Sequence, residues 1–440
     1  MPGDRWVRLV GWWDRHARAI VLAAVAGAVL LAGGFALAVG DALRFQDERE
    51  YVALARSVAS GHGYVLTEYS VAVRPPGLAY RPPGLPFLLA PVSLLTDGSI
   101  VAMRFVGVAA LGVSVWLASL LGRRIHSPAA GALAAVGVAA YPLFVFTATT
   151  LYPQIPAMAL LLGFLESAFR AVDESRRGRW VAAAGLTGGL LALTLPVFAL
   201  AVPLTVVWLA WSHRRALGRA ARNRALAGVL LLAITLACVW TVRNAVVLGA
   251  FVPASTNGGV NLLLGNSERV TARTGSAGDI GPYYAVVLDD GLDEVEADRF
   301  YTVSAWEWVR GHPGDAARLY VEKVARAFAY ADALSTEYRP GVLTSLLSAL
   351  TFYPVLGLAV LRVLLARRRL GAEEKLLLGL VVMLVAVLAV YFIRIRLRLP
   401  LDALLIVVAA SGALSLARGS VHANHGRGQT GSAVRVPDDD

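Results

Sequence analysis

The sequence lacks the residues that several common catalytic and metal sites require. Its one cysteine, Cys238, lies inside an apolar run, so neither an intrachain disulfide nor a cysteine-based metal site can form. The seven histidines show no metal-ligand spacing, and no Gly-x-Ser-x-Gly elbow, Walker motif or Rossmann motif is present. These absences argue against thiol, histidine–metal, serine-hydrolase and nucleotide-binding chemistry of those kinds.

Charge is also scarce. Only 16% of the 440 residues are charged and 57% are hydrophobic, and the mean hydropathy is +0.62, which is too apolar for a soluble domain of this size. The formal net charge is nevertheless +11. Because the arginines cluster in short loops and form no continuous stripe, this charge indicates membrane topology and not a nucleic-acid partner.

Apolar runs long enough to cross a bilayer recur along the chain, and they predict an all-α polytopic membrane protein with about ten transmembrane helices. The predicted spans cover residues 19–40, 100–122, 129–147, 155–171, 180–199, 202–211, 225–248, 342–365, 376–393 and 401–416. The fifth and sixth runs share one apolar block, which is also consistent with a helical hairpin. The first run has no clear small-residue cleavage site, so we interpret it as a retained helix.

The polar stretches between these runs predict four regions. Residues 1–248 form an N-terminal transmembrane module whose first outer loop, 41–99, contains two surface helices. Residues 249–340 form a small, mainly helical outer segment, and residues 341–417 carry the last transmembrane helices. Residues 418–440 are rich in Gly, Ser and Asp and predict a disordered cytoplasmic tail.

The arginine clusters predict the orientation of the chain in the plasma membrane. They fall before the first span and in every second loop, which places them on one side together with both termini. The clusters comprise residues 5–18, 123–124, 176–179, 214–224 and 367–369. By the positive-inside rule this side is the cytoplasm, so the first outer loop and segment 249–340 share the extracytoplasmic face.

A second set of arginines does not follow this rule. Arg394, Arg396 and Arg398 fall at the outer end of the ninth predicted span, where cations gain nothing from topology and lose hydration. Arg74 and Arg81 of the first outer loop, with Arg104 and Arg243 at the outer ends of two spans, complete the set. Either the span count is wrong by one at Arg394–Arg398, or an anionic ligand such as phosphate binds these guanidinium groups. Taken singly, the two loop arginines are also explained as solvated cations, and the two at span ends as side chains that snorkel to the interface.

An acid pair, Asp47–Glu48, follows the first span. One acid could act as the general base that removes a proton from an attacking hydroxyl, with the other in support, because adjacent helical residues point in different directions. The alternative is a charge pair that stabilises a helix N-terminus. Tyr51 begins an apolar stripe at helical spacing in the same segment, which is typical of a helix on a membrane surface.

Two polar clusters occupy the outer segment. A Gly/Asn-rich loop that includes Asn257 and Asn266 can bring backbone amides close to a sugar or phosphate, although a plain turn cluster explains it too. The acids of residues 289–298, Glu294 and Asp298 among them, lack the register of a calcium loop. We interpret them as a solvated helix start.

Together, these motifs resemble the bacterial membrane glycosyltransferases of the GT-C fold, which are relatives of the protein O-mannosyltransferases and of the lipid A aminoarabinose transferase. The motifs are Asp47-Glu48-x-x-Tyr51-x-x-x-Ala55, Gly61-x-Gly63-Tyr64, Arg81-Pro82-Pro83-Gly84, Arg243-Asn244, the stretch FVPASTNGGVNLLLGN and Arg396-Leu397-Arg398-Leu399-Pro400. The resemblance implies a helical membrane bundle and inverting transfer from a polyprenyl-phosphate sugar on the outer face. It also implies that Asp47 is the base.

The sequence departs from the family pattern at two positions. A second acid usually follows the third span, where this chain has Gln154, and an Arg-Pro is common where it has Leu195-Pro196. The donor sugar, a bound divalent cation and activity itself therefore stay open. The acceptor, a glycan, lipid or protein, is open too. Two alternatives to the transferase need the same arginines: a flippase or carrier for a polyprenyl-linked sugar, and a catalytically inactive binding subunit.

Overall fold

The computed structural model describes residues 2–67, 72, 74, 76–173, 177–212, 218–330, 341–366 and 370–429, and it describes no side chains for residues 2–7, 276 and 417–429. The α-helices in this part of the chain are Pro2–Val39 (α1), Gln46–Ala59 (α2), Gly84–Leu95 (α3), Ile100–Ile125 (α4), Pro128–Ala139 (α5), Pro142–Ala148 (α6), Gln154–Asp173 (α7), Arg177–Thr194 (α8), Ala201–Ser212 (α9), Arg219–Leu248 (α10), Gly258–Gly265 (α11), Gly281–Asp289 (α12), Glu294–Gly311 (α13), Pro313–Arg326 (α14), Val342–Ala366 (α15), Ala372–Val390 (α16) and Ile395–Gln429 (α17). Two short 3₁₀ helices cover Pro196–Leu200 and Gly275–Ala277.

The described chain is helical throughout and contains no strand, only one isolated bridge between Leu66 and Gly77. This confirms the predicted all-α fold class. Local signals in the sequence explain several helix ends. The Ser99 hydroxyl caps α4 by accepting a hydrogen bond from the Ala102 amide, and Gly249, with φ 67°, ends α10 in the left-handed region.

Six of the described helices are long and apolar enough to span a membrane, compared with the ten predicted. They are Arg8–Val39, Ile100–Ile125, Gln154–Asp173, Arg219–Leu248, Val342–Ala366 and Ile395–Leu416. The pair α5 and α6, bent by 59° at Pro142, adds a seventh if it is one broken span. The other predicted spans are shorter or more charged, since α9 has 12 residues and α8 and α16 begin with charged residues.

Two helices form the centre of the bundle. In both α7 and the first part of α17, 83% of the apolar window is buried inside the protein. Close packing depends on small residues, as where α4 meets the end of α6: a Cβ added to Gly107 would lie 2.2 Å from the Ala148 carbonyl oxygen. Both central helices begin at the same end of the bundle, beside α2, and this end carries the candidate site described below.

The segment that follows α10 is mainly helical, as predicted, and it is fastened to the bundle through buried polar contacts. Lys323 on α14 is 2% exposed and donates hydrogen bonds to the carbonyl oxygens of Gly265 (3.1 Å) and Tyr391 (2.8 Å). Tyr391 directly follows α16, so this lysine joins α11, α14 and the bundle.

Helix α17 continues to Gln429, beyond residue 418, where we predicted a disordered tail. The rest of that predicted tail, residues 430–440, lies outside the described residues, as do the predicted loop arginines at 176, 214, 215 and 367–369.

Candidate active site

A cavity of about 450 Å³ lies where α2, the start of α7 and the start of α17 meet. The polar part of its lining includes Asp47, Arg81, Gln154, Asn257 and Arg396. The apolar part comes largely from the 3₁₀ helix before α9 and from the end of α16, through Leu195, Pro196, Val197, Leu200, Val387 and Leu388. The cavity can therefore hold a ligand with a charged head and an apolar tail.

The Asp47 carboxylate lies between two guanidinium groups. One oxygen is 2.6 Å from the Arg81 Nη2 and the other is 2.8 Å from the Arg396 Nη1. Both arginines also lie over aromatic rings, Arg81 over Tyr51 at 5.6 Å and Arg396 over Tyr152 at 4.7 Å. The structure thus brings together three of the predicted site residues, Asp47, Arg81 and Arg396, with Tyr51 beside them.

The surroundings of Asp47 set its protonation. Burial alone raises the pKa of its carboxyl, but the charges of Arg81 and then Arg396 outweigh burial and hold the pKa below the ordinary value. Burial raises the pKa of the neighbouring Tyr51 to about 12, so its phenol stays protonated at neutral pH. Asp47 is therefore an ionised carboxylate in contact with two guanidinium groups.

Glu50 is a member of this cluster that the sequence analysis missed. Its side chain is 1% exposed, and its carboxylate lies 2.5 Å from the Arg81 Nε. Asp47 and Glu50 are three residues apart on α2 and so share one face of the helix, where Arg81 contacts both. The spacing of three residues between Asp47 and Glu50 was the signal in the sequence, whereas the prediction rested on the adjacent pair Asp47–Glu48.

Glu48, the predicted supporting acid, points away from the cavity. Its side chain is 1% exposed and accepts hydrogen bonds from the Arg44 amide (2.7 Å) and the Leu151 amide (3.1 Å). It also pairs with Arg104 at 3.2 Å. Arg104 in turn donates to the carbonyl oxygens of Gly40, Ala42 and Thr149. Glu48 and Arg104 thus fix the start of α2 against α4 and the end of α6, and they support the site without lining it.

Gln154 lines the cavity with an unsatisfied acceptor. Its side chain is 3% exposed, and its Oε1 has no hydrogen-bond partner among the described residues. A buried polar atom without a partner is costly, so this oxygen can accept a hydrogen bond from a group that enters the cavity. Asn257 also lines the cavity, where its Oδ1 accepts a hydrogen bond of 2.8 Å from the Ser255 hydroxyl.

Arg398 lies outside the cavity, although only one residue separates it from Arg396. It is 3% exposed, pairs with Asp402 at 2.8 Å and donates to the Ala327 carbonyl oxygen. Residues two apart on a helix point about 200° apart, which accounts for the different surroundings. Asn266 is placed elsewhere as well: its Nδ2 donates to the Val390 carbonyl oxygen at 2.8 Å.

Arg243 contacts the loop that carries Arg81 and not the cavity itself. Its Nη1 donates to the Leu78 carbonyl oxygen at 2.6 Å, and its Nη2 donates to the Tyr64 carbonyl oxygen at 3.2 Å. Arg74, of the first Arg-Pro-Pro-Gly copy, is exposed and lies near Gly291. The predicted outer-face arginines therefore divide into two that line the cavity and others that hold nearby backbone or lie apart.

Glu294 fixes the same loop from the outer segment. We predicted a solvated helix start, but Glu294 is 5% exposed and accepts hydrogen bonds from the amides of Leu78 (2.9 Å) and Ala79 (3.0 Å). The Thr256 amide donates to the Ala79 carbonyl oxygen at 3.0 Å. The outer segment therefore positions the loop that ends at Arg81, a long-range contact that no local pattern in the sequence indicates.

The cavity does not offer a ligand set for a divalent cation. Its one lining carboxylate, Asp47, is already paired with Arg81 and Arg396, and position 154 is a neutral amide. The nearby Glu50, which does not line the cavity, is paired with Arg81. Within the described residues, no three His, Cys, Asp or Glu side chains converge elsewhere in a way that could hold a metal. Positive charge in this site comes from guanidinium groups.

Comparisons with known proteins show what this chain is similar to. Residues 80–246 match the dolichyl-phosphate-mannose-protein mannosyltransferase family. No curated protein sequence matches the chain. The apo oligosaccharyltransferase of Archaeoglobus fulgidus aligns with a TM-score of 0.58 at 12% identity, over 95% of this chain and 53% of that one. The oligosaccharyltransferase AglB of the same organism, in complex with an inhibitory peptide and a dolichol-phosphate, aligns with a TM-score of 0.54 at 13% identity, over 96% and 53%.

ArnT from Cupriavidus metallidurans, bound to undecaprenyl phosphate, aligns with a TM-score of 0.42 at 15% identity, over 89% of this chain and 78% of that one. The chain spans about half the length of the archaeal oligosaccharyltransferases that it matches. The predicted resemblance is confirmed: the chain is a membrane protein of the GT-C glycosyltransferase fold, similar to the protein mannosyltransferases over residues 80–246.

Proposed function

We propose that this protein is an inverting glycosyltransferase that moves a sugar from a polyprenyl-phosphate donor to an acceptor hydroxyl at the outer face of the plasma membrane. The observation that carries the proposal is the cavity in which Asp47 lies between Arg81 and Arg396 and which apolar residues also line. Both termini lie in the cytoplasm in this proposal, as the arginine clusters predict.

The polar and apolar parts of the cavity lining suit the two parts of such a donor. Guanidinium groups bind phosphate oxygens through paired, charge-assisted hydrogen bonds, so Arg396 and Arg81 receive the phosphate. The polyprenyl chain lies along the apolar part of the lining, at residues such as Leu195 and Leu388. The similar fold of AglB, which is in complex with a dolichol-phosphate, supports this class of donor.

Asp47 is the general base of the proposed reaction. The acceptor oxygen forms a bond to the anomeric carbon, its proton passes to Asp47, and the bond from that carbon to the phosphate oxygen breaks. The leaving phosphate keeps the electron pair of the broken bond, and Arg396 and Arg81 stabilise its added charge. Attack from the face opposite the leaving phosphate inverts the anomeric centre.

Donor binding also prepares the base. Without a donor, Asp47 pairs with both Arg81 and Arg396, and their charges lower the pKa of its carboxyl and weaken it as a base. A donor phosphate competes with Asp47 for the same guanidinium groups. As the phosphate takes over these contacts, the carboxylate loses stabilisation and becomes more basic at the moment when the substrate is in place.

Gln154 positions a hydroxyl of the donor sugar or the acceptor. Its unsatisfied Oε1 accepts one hydrogen bond, and its amide cannot exchange a proton with the substrate. This residue also favours a second candidate function, a binding subunit that holds the donor but does not consume it. In that candidate, the ion pairs of Asp47 persist in the complex and no proton is removed.

One experiment separates these functions. The purified protein is reconstituted in liposomes with a panel of polyprenyl-phosphate sugars and candidate acceptors, and the polyprenyl phosphate released is measured by mass spectrometry. We expect release by the wild type and by Asp279→Asn, a matched control whose carboxylate pairs with Arg269 on the exposed surface at 2.6 Å. We expect none from Asp47→Asn.

Donor binding without release by the wild type would favour the binding subunit, and movement of intact donor across the bilayer would favour a flippase. Full release by a folded Asp47→Asn variant would exclude Asp47 as the base.

A further inference from the structure

A second cavity, of about 630 Å³, lies between α1, α4 and α5 and is lined by three arginines. Arg15 and Arg18 come from one face of α1, since they are three residues apart, and Arg123 comes from the last turn of α4. The rest of its lining is largely apolar and includes Val21, Leu22, Trp116 and Leu120. The cavity is therefore amphiphilic, like the candidate active site, but it has a different set of cations.

This cavity lies about one membrane thickness from the candidate active site. Arg18 precedes the end of α1 at Val39 by about 30 Å along a straight helix, and Arg123 is a similar distance from the start of α4 at Ile100. Ile100 packs in the same cluster as Tyr51 of the candidate active site. Because the hydrocarbon core of a bilayer is about 30 Å thick, the three arginines lie at the level of the opposite headgroups.

The guanidinium groups of this cavity have no acidic partner among the described side chains. Within the described part of the chain, Arg15, Arg18 and Arg123 form no ion pair, whereas the adjacent Arg124 pairs with both Glu166 (3.4 Å) and Asp173 (2.5 Å). The acid that lines the cavity, Asp14, is engaged in capping α5, because its Oδ1 accepts a hydrogen bond of 2.7 Å from the Ala129 amide. The cavity thus presents an excess of positive charge.

The apolar part of the lining continues onto the outside of the bundle. Leu22 is 69% exposed and Trp116 is 50% exposed, and both belong to helices that are long enough to span a membrane. Side chains in this position face lipid, so an acyl chain can lie along them while its headgroup reaches the arginines. A free inorganic anion would use the guanidinium groups but would gain nothing from these two residues.

From these observations we infer that the cavity between α1, α4 and α5 binds the phosphodiester headgroup of an anionic phospholipid, with an acyl chain along Leu22 and Trp116. Basic cavities between transmembrane helices suit such headgroups, and each basic residue close to an anionic lipid surface adds roughly fivefold to affinity. The site is separate from the proposed transferase site and does not depend on it.

The test measures lipid retention by native mass spectrometry. Purified protein is mixed with equal amounts of phosphatidylglycerol and phosphatidylcholine, and the lipid that survives detergent exchange is counted. We expect R18Q/R123Q to retain about 25-fold less phosphatidylglycerol than the wild type, roughly fivefold for each arginine removed. The matched control is R219Q/R224Q, which removes two exposed arginines from the start of α10, and it should behave like the wild type.

R18K/R123K should restore most of the retention, because it keeps the charge. The inference is overturned if R18Q/R123Q retains as much phosphatidylglycerol as the wild type, or if R219Q/R224Q loses as much as R18Q/R123Q. It is also overturned if inorganic phosphate at an equal concentration displaces the lipid, since the cavity would then be a site for a free anion.

Discussion

Asp47, in the first turn of α2, and Arg396, in the first turn of α17, form an ion pair of 2.8 Å, although most of the chain separates them. The residue that we propose as the base is therefore also the anion that occupies one of the proposed phosphate-binding groups. Removing its charge should affect binding and turnover in opposite directions.

Asp47→Asn should bind polyprenyl phosphate more tightly than the wild type while losing transfer. Loss of the competing carboxylate frees charge-assisted hydrogen bonds of Arg81 and Arg396, each worth about 1.5–3 kcal/mol, so we expect an affinity at least about tenfold higher. Titration with a fluorescent polyprenyl phosphate in detergent measures this. Weaker binding by a folded Asp47→Asn protein would show that the carboxylate and the phosphate do not compete.

Arg396→Gln and Arg398→Gln should have different consequences, even though the two positions are only two residues apart. Arg396→Gln should abolish donor binding and leave the melting temperature close to that of the wild type, since Asp47 keeps its ion pair with Arg81. Arg398→Gln should lower the free energy of unfolding by about 3–5 kcal/mol, because Asp402, which is fully buried, loses its ion-pair partner. Measurements of thermal unfolding and donor binding on both variants test these two expectations. Similar melting temperatures for the two variants would contradict them.

The two Arg-Pro-Pro-Gly copies should tolerate substitution differently. A Cβ added to Gly84 would lie 2.2 Å from the Thr194 Oγ1 and 2.6 Å from the Thr194 Cα, so Gly84→Ala must separate α3 from the end of α8. We expect a loss of more than about 2 kcal/mol in the free energy of unfolding. At Gly77 the nearest atom would be the Tyr80 Cβ at 3.3 Å, so Gly77→Ala should cost much less. Equal destabilisation of the two variants in thermal unfolding would count against this packing.

Asp298 should make the stability of the outer segment depend on pH. Burial raises the pKa of its carboxyl to about 6, compared with an ordinary value of 3.8, while a hydrogen bond of 2.5 Å from the Gly259 amide opposes this rise. Between about pH 4 and pH 6 the folded state binds more protons than the unfolded state, so stability should fall as pH rises through this range and level off above it.

Hydrogen exchange of the α11 amides, corrected for the intrinsic rate at each pH, measures this local stability. Asp298→Asn should remove the fall between pH 4 and pH 6, because the amide keeps an acceptor for Gly259 but does not titrate. If Asp298→Asn retains the pH dependence of the wild type, a group other than Asp298 is responsible for that dependence.

The sequence predicted the membrane helices and the charged site residues whose positions membrane topology does not explain. The apolar runs indicated the membrane helices, and charges that topology could not explain pointed to Arg81 and Arg396. Asp47 belongs to an acid pair beside a membrane surface, and this position indicated a functional role. The structure places these three side chains together.

Residues that depend on helical phase or on distant partners could not be assigned in this way. Arg396 and Arg398 look equivalent in the sequence, and only the orientation of α17 separates the cavity residue from the buried partner of Asp402. Glu294 looked solvated because its partners, the amides of Leu78 and Ala79, lie far away in the chain. Fewer of the described helices are long and apolar enough to span a membrane than the ten predicted, because charged first turns and short helices interrupt the apolar runs.

The most direct test of the account is an electron cryomicroscopy structure of the wild-type protein with polyprenyl phosphate bound. We predict that the phosphate lies within hydrogen-bond distance of the Arg396 guanidinium group, and that the Asp47 carboxylate has moved away from its 2.8 Å contact with Arg396. A phosphate bound elsewhere, with the contact between Asp47 and Arg396 intact, would contradict the account.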